Sequence, residues 1–149
     1  MNPGRVQASR RRSERGSAAV EAVIGVPAFA LLILLVIMGG RVALARQAVD
    51  AAAADAARAA SLSRDATKAK NSAIEVAEAS LANQGITCLD TTITVDTAAL
   101  RQPAGTPGEV TATVSCVLKL SDLGLPVPSR TLTSTVTSPI DTYSARADP

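Results

Sequence analysis

The 149-residue chain contains no histidine and no tryptophan, one phenylalanine, one tyrosine and two cysteines. Without histidine there is no His-based catalytic triad and no imidazole ligand for a metal. The cysteines, Cys88 and Cys116, are spaced like no common metal site even with carboxylates added. Phosphate-binding chemistry is also missing. The segment GTPGEV from Gly105 has neither the lysine nor the following helix that a phosphate loop needs. Glu75 and Glu78 lie three apart on one helix face, which reads as a solvated face rather than an acid–base pair. No enzyme activity, cofactor, metal or small-molecule substrate is therefore expected. The scarcity of rings also limits burial: Phe29 falls in the apolar run, so a folded region downstream has aliphatics, alanine and Tyr143 from which to build a core.

The charge is small and uneven. The net charge is +2, but Arg5, Arg10, Arg11, Arg12 and Arg15 against Glu14 give the leader the whole excess. Those arginines have no interleaved aromatics and no folded platform, so no nucleic-acid partner is expected. Beyond them the run Ala22 to Gly40, AVIGVPAFALLILLVIMGG, carries not a single charge. As a helix it rises about 28 Å at roughly 1.5 Å per residue, close to a hydrocarbon core of about 30 Å. Cations beside such a span prefer the cytoplasmic side. The expected topology is a single-pass membrane protein with its N-terminus cytoplasmic and its C-terminal head extracytoplasmic.

Residues 1–16 read as a basic cytoplasmic leader, polar and disordered as far as Arg15, and 17–41 as the transmembrane helix. Gly25 and Pro27 interrupt the span, and Gly39-Gly40 closes it as a flexible point or a close-packing site. Residues 42–84 form an Ala-rich helical region, favoured by propensity in RQAVDAAAADAARAASL. Within it Ser61 to Asp65 is a joint, with Ser63 as cap and Asp65 in the first turn of a helix over Ala66 to Asn83. Ala66, Ala69, Ala73, Ile74, Ala77 and Leu81 share its apolar face, and Gly85 ends it. Whether the first helix runs straight into the second is open at this point.

Residues 85–149 form a small β-rich head. Three strands are expected: Leu89 to Thr97 with Leu89, Ile93 and Val95 on one face; Glu109 to Leu120 with Val110, Ala112, Val114, Cys116, Leu118 and Leu120 inward; and Arg130 to Ser138 with Leu132 and Val136 inward. Loops fall at Pro103 to Gly108 and Asp122 to Ser129, and Ala145 to Pro149 is a loose tail. The expected fold class is α+β: a long N-terminal transmembrane helix extending into an Ala-rich helix, then a short helix packed on a small antiparallel three-stranded sheet. Exported thiols can be oxidised, so Cys88 and Cys116 form a clamping disulfide in one reading and two unrelated free thiols in the other.

A basic leader ending in Gly16, then SAAVE with Glu21 fifth after the glycine, then an apolar run closed by Arg41 and an Ala-rich stretch, resembles the TadE-like pseudopilins of the tight-adherence (Flp type IV) pilus system. The resemblance covers about residues 14 to 60. It implies that a prepilin peptidase cuts between Gly16 and Ser17 and that Glu21 has the role of the family's fifth-position acid. It also implies a minor subunit or assembly scaffold whose partners are membrane lipid, the prepilin peptidase and other pilin or pseudopilin subunits met through the apolar helix. Ala22, where main pilins of this system commonly carry an aromatic, and the long exported part both favour a minor subunit. The alternative is a secreted protein of unknown role, released by signal peptidase at the small-x-small site Ala43-Leu44-Ala45.

Overall fold

The computed structural model describes residues 4–119 and 128–142, with side chains from Val20 onward. The element order is α1 (Gly4–Ser61), α2 (Ala66–Asn83), β1 (Cys88–Asp96), a 3-10 turn at Ala98–Arg101, β2 (Glu109–Leu118) and β3 (Arg130–Pro139). Two compact units divide the chain, Met1–Val42 and Ala43–Pro149. The α+β class expected from the sequence is the one observed.

From Gly4 onward the leader is helical, where disorder was expected. Its residues Arg5 to Arg15 include no proline or glycine, and Arg, Gln, Ala and Glu lose little side-chain freedom in a helix, so nothing within that stretch interrupts the helix.

In the second unit the end of α1 is a core element. Ala45, Ala48, Val49, Ala52, Ala53, Ala56, Ala57 and Ala60 are all buried, at the three- and four-residue steps of one helix face. Arg46, Asp50, Asp55 and Arg58 take the exposed side. Alanine propensity explains why this segment is helical; the alternation of its charges explains which face turns inward. Ala69, Ala73, Ala77 and Leu81 of α2 are buried in the same cluster. Ile74, expected inward, is exposed, because it lies about 100° around the helix from Ala73 and the inward stripe is only one alanine wide. A hydrogen bond from Ser80 Oγ to the Asp55 carboxylate, 2.9 Å, ties the two helices at their wet edge.

The two helices are separate. Ser61 Oγ donates to the Arg58 carbonyl at 2.9 Å and Ser63 Oγ to the Ala59 carbonyl at 3.4 Å, so both serines finish α1. The cap of α2 is Asp65 rather than Ser63: its backbone is extended and its carboxylate accepts from the Lys68 N–H at 2.8 Å. Asp65 wins because it immediately precedes the first helical residue, the position from which a side chain reaches the N–H three residues on. Asp65→Ala is expected to destabilise the second unit by about 1 kcal/mol, read as faster hydrogen exchange in the first turn of α2. At the other end Gly85, at φ +67, and Ile86 return their N–H groups to the Ala82 and Leu81 carbonyls, the glycine stop that the sequence announced.

The sheet has the order β1-β2-β3, antiparallel throughout. Val110, Ala112, Val114 and Cys116 of β2 are completely buried, and Leu132 and Val136 of β3 face the same core. Leu118 is partly buried; Leu120, Tyr143, Ala145 to Pro149 and all of the Asp122 to Ser129 loop except its last two residues lie outside the described residues. Leu89 overturns its expectation: it is 58% exposed. Cys88 opposes Leu118 and Asp90 opposes Val117, so Leu89 is the extra residue of a bulge. Ile93 and Val95 point inward, and strict alternation would then send Cys88 outward. The bulge reverses the phase, turning Leu89 out and Cys88 in. Cys88 is thereby bonded to Cys116, with the two Cα atoms 5.4 Å apart.

Candidate membrane segment and processing site

From Val20 to Arg41 none of the described residues of the first unit covers the helix. Val23, Ile24, Phe29, Leu31, Leu35 and Val36 are among its exposed large apolar side chains. A continuous apolar surface of that kind is not stable in water. Among the described residues this is the one helix long and apolar enough to cross a membrane, and it lies near the N-terminus. A Cβ at Gly25, Gly39 or Gly40 would meet nothing within 4 Å, so contacts inside the chain do not require glycine there. Pro27 lies inside the helix with a trans peptide bond, and its missing N–H leaves the Val23 carbonyl without that donor.

Gly16 and Ser17 both lie within α1, and the exposed Glu21 follows on the same helix. Ser17 and Glu21 are four apart, so they share a helix face one turn apart. The helix thus brings together the residue that would become a new N-terminus and the acid behind it. Cys88 and Cys116 belong to the other unit and clamp the sheet. Among the described residues no three His, Cys, Asp or Glu side chains gather as metal ligands. Glu75 and Glu78 are exposed, and GTPGEV leads into β2 rather than a helix.

Residues 16–58 match the family model for TadE-like protein. Over that stretch the chain is similar to TadE-like proteins. The match opens at Gly16 and ends at Arg58, three residues before α1 ends, so the TadE-like segment comprises the apolar helix and most of the alanine stripe. It includes no residue of α2 or of the sheet. No curated protein and no solved structure matches the chain.

The sequence expectation passed over the inward face of the TadE-like segment beyond the apolar run. Its signal was present in the spacing of Arg46, Asp50, Asp55 and Arg58, which leaves one face free of charge from Ala45 to Ala60.

Proposed function

We propose that this protein is a membrane-anchored, pseudopilin-like minor subunit or scaffold in the assembly of a tight-adherence pilus. In this reading its N-terminus is cytoplasmic, residues beyond Arg41 are exported, and a prepilin peptidase cuts after Gly16. The observation that carries the reading is the TadE-like match, whose first residue is Gly16 itself.

The helix is chemically compatible with that processing. A scissile bond inside a helix must be unwound before a peptidase can hold it, and glycine lowers helix stability by about 0.5–1 kcal/mol relative to alanine. Gly16 is therefore a weak point at the bond to be cut. After cleavage Ser17 carries a free amino group at the positive end of the shortened helix, and Glu21 in the first turns offsets that charge. A carboxylate at the edge of an apolar span is costly unless it pairs or reaches the headgroups, and the Ser17 amino group of the same or a neighbouring subunit is such a partner.

Cleavage after Ala45 is disfavoured by two observations. Ala45 is 1% exposed in the core of the second unit, and the TadE-like match runs through it.

Mass spectrometry of the protein recovered from its host is expected to find Ser17 as the N-terminus. Gly16→Val, which adds β-branched bulk at the cleavage point, is expected to leave Met1 or Asn2 there. An unprocessed N-terminus in the unsubstituted protein removes the peptidase from the account. Deletion of the gene is expected to abolish surface pili and adhesion, and unaltered piliation would refute the assembly role.

A further inference from the structure

The two edges of the sheet are built differently. Strand β1 carries the bulge at Leu89 and the carboxylates Asp90 and Asp96, devices that keep another strand from pairing. Strand β3 has none of them. It pairs with β2 over ten residues without a register shift, and its charge and its proline, Arg130 and Pro139, stand at its two ends and leave the eight residues between them with neither; near one end Ser138 Oγ donates to Ser61 Oγ of α1 at 3.0 Å. In an antiparallel sheet every second residue of an edge strand turns its N–H and C=O away from its neighbour. Among the described residues no backbone hydrogen bond reaches β3 from any strand but β2. Thr131, Thr133, Thr135 and Thr137 are exposed.

We infer that β3 is a pairing edge and that its occupant is β3 of a second copy of this chain, joined antiparallel into a six-stranded sheet. The choice of a second copy rests on self-complementarity. A two-fold axis through Ser134 sets Leu132 opposite Val136 of the second copy, Thr133 opposite Thr135 and Thr131 opposite Thr137. Apolar side chains then meet on the core side and hydroxyls on the outer side. The two Arg130 side chains fall at opposite ends, each against Ser138. Hydroxyl pairs of this kind already join the outer face, Thr113 to Thr135 at 3.0 Å and Ser115 to Thr133 at 2.9 Å. The alternative axis through Thr135 would place Leu132 against Ser138 and lose the apolar pair. A single strand pair is a small interface, so association depends on concentration, which confinement to one membrane raises.

The test uses the full chain in lipid vesicles. No free cysteine is present, so an introduced thiol is the only one available. Under mild oxidation Ser134→Cys is expected to give a disulfide-linked homodimer, because directly opposed Cα atoms lie about 4.5–5.5 Å apart. Thr131→Cys is expected to give none, since its counterpart lies six residues along the strand, roughly 20 Å away. Adding Thr135→Lys to Ser134→Cys is expected to abolish the crosslink by setting charge on the edge. Single-molecule mass measurement of the unsubstituted chain, with and without Thr135→Lys, checks association without the new thiol. Equal crosslinking of Ser134→Cys and Thr131→Cys, or a conjugate whose mass reveals a different chain, overturns the second copy as occupant.

Discussion

Removing the disulfide by Cys88→Ala with Cys116→Ala is expected to destabilise the second unit by about 3–4 kcal/mol, from the chain entropy released when a loop of 28 residues is no longer closed. That is a large part of the roughly 5–15 kcal/mol that keeps a domain folded. The core leaves little to replace it. Its buried members are alanines with a few Val, Leu, Ile and Cys, and among the described residues no aromatic ring joins them. Each alanine methyl contributes on the order of 0.8 kcal/mol when buried, whereas a full Leu or Phe side chain contributes about 1.5–3 kcal/mol. Hydrogen exchange of the β2 amides is the measurement, since this strand is paired on both sides and opens only with the unit. Protection is expected to fall by roughly two to three powers of ten, the equivalent of that free energy. The bulge should show the loss first, because the bond to Cys116 holds Cys88 inward across it. Unchanged protection in β2 would mean that the alanine core suffices by itself.

The second large effect is expected in the alanine stripe of α1. Ala53→Leu places three extra carbons at a position with no exposed surface, in a stripe buried in one cluster with Ala69, Ala73 and Ala77 of α2 and the inner face of the sheet. Alanine lets the neighbouring elements approach closely; a leucine in that stripe must push them apart or take a strained rotamer, at a cost of about 1–3 kcal/mol or more. Ala54→Leu is the control. It makes the same chemical change one residue along, on the exposed face, with the same helix propensity, and is expected to stay within about 0.5 kcal/mol of the parent. Hydrogen exchange in α2 separates the two: protection of its central amides falls in Ala53→Leu and not in Ala54→Leu. Equal effects would show that the alanine stripe has no structural preference for small side chains.

The bridge was legible as one of two readings of Cys88 and Cys116, whereas the buried alanine stripe of α1 was not. The sequence determined the elements whose signal is local. The uncharged run Ala22 to Gly40, the helix over Ala66 to Asn83 with its glycine stop, and the alternation in β2 each follow from the period of apolar residues along a few turns or a single strand. It also determined the TadE-like resemblance, which is carried by contiguous residues from Gly16 onward. Tertiary structure decided what depends on pairing between distant segments. Strand phase around Leu89 is set by the register against β2, so the bulge that turns Cys88 toward Cys116 is invisible from β1 by itself. The burial of Ala45 to Ala60 is set by the arrival of α2 and the sheet, because alanine is compatible with both water and core and its sequence therefore does not say which it will meet.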